Sequence, residues 1–153
     1  MVISKLDKER ILTGLARLQE YVLTLREFSA MEEDDFLSDK RNPAAVESYL
    51  RRALETVFDL GRHILSKTFG VKELESKQIA RLLGEKEIVS GPYSETLIRM
   101  AGYRNRMVHF YHEITPKELF QIVREQLQDI ERFGSEMHTF LKKYDARAKM
   151  KER

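Results

Sequence analysis

Apolar residues recur every three or four positions through most of the chain, the spacing of helices that bury one face. Ile11, Leu12, Leu15, Leu18, Tyr21, Val22, Leu25 and Phe28 mark the first such face and predict a helix from about Asp7 to Phe28. The pattern stops at Met31 to Arg41, where Glu32-Glu33-Asp34-Asp35 makes an acidic run that reads as a solvated connector. Asn42-Pro43 reads as an N-cap followed by proline at the first helical position, where the missing N–H costs nothing. The helix it opens carries Val46, Leu50, Ala53, Leu54, Val57, Phe58, Leu60, Ile64 and Leu65 and stops at Gly70. His63 lies within it and reads as a structural histidine.

A shorter helix is predicted around Ile79, Leu82 and Leu83, ending at Gly84, and Glu85 to Tyr93, with its Ser90-Gly91-Pro92, reads as a turn. The next helix runs from about Ser94 through Leu97, Ile98, Met100 and Ala101. Thr115-Pro116-Lys117-Glu118 has the form of a capping box, with Ile114 and Leu119 spaced as a hydrophobic staple. A helix start at Thr115 ends the preceding helix between about His109 and Glu113. The last pattern, from Leu119 through Phe120, Ile122, Val123, Leu127, Ile130, Phe133, Met137, Phe140 and Leu141, reads as one continuous helix. The expected fold is all-α, an up-and-down bundle of four major helices plus one short helix, dimeric in the reading developed below. One domain is expected over residues 1–144, followed by a basic tail over 145–153 that is either a frayed terminus or a contact for RNA phosphate.

Composition narrows the chemistry. A chain of 153 residues suffices for one core, and 7 Gly and 3 Pro leave few turn formers. There is no cysteine, which excludes a disulfide framework, a thiolate metal site and a cysteine nucleophile. The N-terminal residues turn charged within Met1 to Arg10, and no run approaches the ~20 apolar residues of a membrane span, so a soluble, cytoplasmic protein without a membrane partner is expected. A net charge of +2 is too balanced to announce nucleic-acid binding.

Chemistry-bearing residues concentrate in Gly102-Tyr103-Arg104-Asn105-Arg106-Met107-Val108-His109-Phe110-Tyr111-His112. At about 100° per residue, Arg104, Val108 and Tyr111 share one helix face, and Asn105, His109 and His112 form a stripe beside it. Asn105 is therefore placed to reach His109, whereas Arg104 and His109 diverge by about 140° in a straight helix. Either the helix unwinds or a second copy of the chain closes the site. A guanidinium that binds phosphate and an imidazole that moves protons are what phosphodiester chemistry at neutral pH requires. RNA supplies its own nucleophile in the 2′-OH, so no metal and no cofactor is expected. The alternative is an ordinary helix salt bridge and a histidine packed at a helix end. His109, His112 and the adjacent Glu113 also suggest a cation site, but two histidines without a third ligand at motif spacing are weak evidence.

The run Arg104-Asn105-Arg106-Met107-Val108-His109-Phe110-Tyr111 resembles the Arg-polar-x-x-x-His-x-Tyr motif of the HEPN family and its HepT-like branch, the toxins of prokaryotic toxin–antitoxin pairs. Phe36-Leu37-Ser38-Asp39, Ala53-Leu54-Glu55, the Met100-Ala101-Gly102-Tyr103 lead-in and the Thr115 box extend the resemblance over most of the chain. The resemblance implies a helical homodimer in which the Arg-His pairs of two subunits line one cleft. It further implies that Arg104 and His109 are the ribonuclease pair and Asn105 the supporting polar residue. Tyr111 would be the hydroxyl adenylylated by an MNT-type nucleotidyltransferase antitoxin. Two functions follow: a metal-independent RNA endonuclease toxin acting by 2′-OH transesterification in a type VII-like system, or a non-catalytic HEPN module that pairs with a nucleotidyltransferase-like partner.

Overall fold

The computed structural model describes residues 6–151. Met1 to Lys5, part of the charged N-terminal stretch, and Glu152-Arg153, the end of the basic tail, lie outside the described residues. Within them the chain forms α1 (Lys8–Ser29), α2 (Glu33–Ser38), α3 (Arg41–Phe69), α4 (Ser76–Glu85), α5 (Gly91–His109), a 3₁₀ turn (Tyr111–Glu113), α6 (Pro116–Glu125) and α7 (Leu127–Lys151). The described residues include no β-strand, so the expected all-α bundle is the observed one.

The long helices alternate in direction, as cross-helix contacts show. Lys8 pairs with Asp145 and Arg26 with Glu131, which runs α1 against α7. Gly14 faces Leu60, and the Tyr21 and Tyr49 rings lie 6.1 Å apart, which runs α1 against α3. Between these helices Phe36, Phe58, Tyr93 and Phe133 are among the largest fully buried side chains. Gly84 lets α4 pack on α5: a Cβ there would stand 2.4 Å from Ser94 Oγ. That hydroxyl donates to the Ala80 carbonyl at 2.9 Å.

Several boundaries differ from the sequence expectation. The acidic connector folds as α2 because Phe36 is fully buried, its ring 4.9 Å from Phe120, while Glu33, Asp34 and Asp35 occupy the first turn, where the helix dipole favours negative charge. Asn42 is not an N-cap. The helix has already begun at Arg41, whose backbone N–H is accepted by the Asp39 carboxylate, and Asn42 Nδ2 donates to the Phe36 carbonyl. Pro43 still falls among the first helical residues, whose N–H groups need no helical acceptor. Gly70 does stop the helix, left-handed at φ 69°, and its N–H is accepted by Ser66. Gly84, expected as a stop, is the penultimate residue of α4.

The turn ahead of α5 is shorter than expected: Ser90 is the N-cap, accepting from the Tyr93 N–H, with Pro92 inside the first turn. Thr115 caps α6 through the Glu118 N–H, but the Glu118 carboxylate turns to Arg106 instead of closing the box. The expected continuous last helix is two, broken at Gln126. No Gly or Pro marks the break and the apolar spacing runs through it in phase, so periodicity alone is blind to it. Residues 145–151 continue α7 as exposed or half-exposed helix.

Candidate functional site

The C-terminal half of α5 carries Arg104, Asn105 and His109, the 3₁₀ turn after it carries Tyr111, and the capped starts of α5 and α6 fix where α5 begins and must end. Met100, Ala101 and Met107 are buried and seat α5 on the core, while Gly102 to Arg106 between them are half-buried. The helix stays regular through His109, where the Phe110 N–H bonds the Arg106 carbonyl, and the chain then tightens into the 3₁₀ turn. The bidentate pair of Arg106 with Glu118, at 2.7 and 2.9 Å, ties the end of α5 to the start of α6. Arg106 is thus committed to joining the two helices.

Arg104 is the best-held of the group, its side chain only 21% exposed. Its Nε donates to Glu55 Oε1 on α3 at 2.7 Å, and its Nη1 donates to Asn105 Oδ1 at 3.1 Å. The Asn105 amide therefore faces Arg104, and no hydrogen bond joins it to His109 among the described residues, contrary to the stripe geometry. Arg104 borders an open groove of about 510 Å³ between α3 and α5, lined by Glu47, Arg51, Glu55, Arg104, Met107, Val108 and Tyr111. Tyr111 is 58% exposed at its rim. The groove thus brings Arg104 and Tyr111 together, although α5 ends at His109 and Tyr111 stands on the 3₁₀ turn instead of sharing a helix face with Arg104.

His109 does not line that groove. It is exposed on the last residue of α5, its ring edge-on to Phe110 with centroids 6.4 Å apart. Because the helix does not unwind before His109, the angular divergence from Arg104 persists within one chain. Among the described residues no three His, Asp or Glu side chains converge as a metal set, so His109, His112 and Glu113 do not form one. No helix among them is long and apolar enough to cross a membrane.

Sequence reasoning passed over the α3 wall. Glu47, Arg51 and Glu55 recur every four residues on a helix whose other face is apolar, a signal present in the chain but indistinguishable there from a solvated stripe. Only the partner of Glu55, 49 residues away, distinguishes it.

A helical bundle that carries Arg104-Asn105-x-x-x-His109 at the end of α5 has the arrangement of the HEPN class. The chain belongs to the ribonuclease HepT-like family, whose model matches residues 18–137. It is 27% identical over 129 residues to a protein of Aphanizomenon flos-aquae named tRNA nuclease HepT, covering 84% of this chain and 88% of that one. It is 31% identical over 85 residues to the mRNA nuclease HepT of Shewanella oneidensis, covering 55% of this chain and 63% of the relative. Its fold matches the tri-AMPylated Shewanella oneidensis HEPN toxin solved in complex with MNT antitoxin, with TM-score 0.76, 22% identity and coverage of 87% and 99%. It also matches YutE, a cytosolic protein of Bacillus subtilis, with TM-score 0.77, 16% identity and coverage of 94% and 95%.

Proposed function

We propose that the chain is a metal-independent endoribonuclease and the toxin of a toxin–antitoxin pair, working in the cytoplasm through its 1–144 domain as a homodimer. The observation that carries this reading is that Arg104 and Tyr111 line one open groove, with the guanidinium anchored on its inner side and the phenol exposed at the rim. Family membership and the nuclease names of two relatives support it.

In this reading an RNA phosphate binds the outer Nη edge of Arg104, whose planar fork matches phosphate oxygens. A His109 imidazole takes the proton from the 2′-OH. The O2′–P bond forms as the P–O5′ bond breaks, and the same imidazole, now protonated, returns its proton to O5′. The products are a 2′,3′-cyclic phosphate and a 5′-hydroxyl. Arg104 stabilises the charge that builds on phosphorus, and Asn105 holds the guanidinium.

Silencing follows from the rim position of Tyr111. A nucleotidyltransferase antitoxin of the MNT type, the partner named for the Shewanella oneidensis toxin, would transfer AMP to the phenol. The added phosphate and nucleoside would occupy the groove and present a negative charge where RNA phosphate must bind.

Purified protein should degrade RNA in the presence of a chelator, and His109→Ala should abolish the cleavage; full activity in that variant overturns the assignment. Co-expression with the nucleotidyltransferase should add mass in units of AMP, which Tyr111→Phe prevents. A protein that binds such a partner but never cleaves RNA would be the non-catalytic module instead.

A further inference from the structure

We propose that Glu55 is a positioning residue for the ribonuclease reaction: it anchors Arg104 so that the free edge of the guanidinium faces the groove before RNA arrives. The proposal rests on the reading of Arg104 as the phosphate-binding cation and adds to it a device from a different helix.

The geometry is specific. Glu55 and Arg104 lie 49 residues apart, on α3 and α5, and meet at 2.7 Å through Nε, the donor nearest the side-chain stem. Both side chains are largely covered, at 34% and 21% exposure. Asn105 takes one hydrogen on Nη1 at 3.1 Å. A guanidinium offers five donors in one plane, so holding it at Nε and at Nη1 fixes that plane. One Nη1 hydrogen and both Nη2 hydrogens have no partner among the described residues; one of the Nη2 pair lies on the Nε edge beside Glu55 and the other at the far end of the fork. An arginine held this way loses little side-chain freedom when phosphate binds.

The carboxylate has an opposing electrostatic effect. A negative charge 2.7 Å from the guanidinium offsets part of its attraction for the monoanionic phosphate of bound RNA. That charge acts on the more highly charged pentacoordinate phosphorus as well, so the gain in turnover comes from the fixed geometry of the fork, not from the charge of Glu55. Anchoring and charge separate in two variants. Glu55→Gln keeps an oxygen acceptor for Nε and removes the charge, whereas Glu55→Leu removes both.

The test is steady-state cleavage of a fluorogenic oligoribonucleotide by the full chain, together with the Arg104 Nε–H resonance in nitrogen-15 NMR spectra, assigned by its absence in Arg104→Lys. Expected for Glu55→Leu is a fall in kcat of about 10- to 100-fold with little change in KM, and a shifted, fast-exchanging Nε–H signal. Glu55→Gln should keep that signal and kcat within about threefold, and lower KM. Wild-type kcat in Glu55→Leu, or an Nε–H signal unchanged by it, overturns the proposal, as does an equal loss in both variants. If the wild-type protein cleaves no RNA, the ribonuclease reading falls and takes the reaction role of Glu55 with it. The resonance then still decides whether Glu55 anchors Arg104.

Discussion

His63 shows how much a single side chain depends on its surroundings. It sits on α3 at 6% exposure with no hydrogen-bond partner for Nε2 among the described residues. Burial pushes its pKa below the usual 6.5, and the nearby Arg10 and Lys67 push the same way while Asp7 opposes them. The imidazole is therefore kept neutral in the folded chain. As pH falls through 6.5 the unfolded chain takes up a proton that the folded one refuses, so stability is lost on the acid side and retained above it. Melting temperatures between pH 7.5 and 5.5 should fall more steeply for the wild type than for His63→Leu; parallel curves would show that His63 titrates alike in both states. Tyr93 is the opposite case, a buried polar group that is satisfied. Its hydroxyl donates to the Asp129 carbonyl at 2.6 Å and Arg132 stacks 5.2 Å from its ring centre, and burial raises its pKa far above the ordinary phenol range.

At the scale of elements, the site depends on how α5 is held along its length. Ser90 caps it, Tyr93 ties its first turn to α7, Gly84 admits it against α4, and the Arg106 pair with Glu118 closes its far end. The α4 contact is the least forgiving, because a methyl at Gly84 meets Ser94 Cβ at 2.5 Å as well as its hydroxyl. Gly84→Ala should cost about 1–3 kcal/mol by forcing the two helices apart. Urea denaturation measures it, and a midpoint unchanged from the wild type would mean that the helices part freely. The surface pairs of α1 with α7 contribute far less, since both Lys8 and Arg26 are nearly half exposed.

The whole molecule raises the question of a second copy. Within one chain Arg104 faces the groove with Tyr111, and His109 lies exposed beyond it. Under the proposed function, a two-fold partner that brought its own His109 to this Arg104 would resolve the divergence and make the dimer the catalytic unit. Arg104→Ala and His109→Ala proteins, each inactive, should regain activity when unfolded and refolded as a mixture, to roughly a quarter of the wild-type level, because half of random dimers carry one intact composite site. No recovery in a mixture that forms mixed dimers would place both residues in one subunit's site.

Local chemistry is what the chain by itself determined. Repeats of three and four residues, Gly70 with its left-handed stop, and the Thr115 cap depend on neighbours a few positions away, so the helical stretches other than α2, their order and the end of α5 were readable in one dimension, though the break between α6 and α7 was not. The motif from Arg104 to Tyr111 was readable for the same reason. Tertiary structure decided what depends on distant partners. Phe36 turned an acidic connector into α2 by finding Phe120, and Glu118 left its own cap for Arg106. Asn105 turned from His109 to Arg104, and Glu55 became part of the site by meeting Arg104 across 49 residues. Burial and pairing free energies are properties of groups brought together in space, and no periodicity along the chain encodes which distant group will arrive.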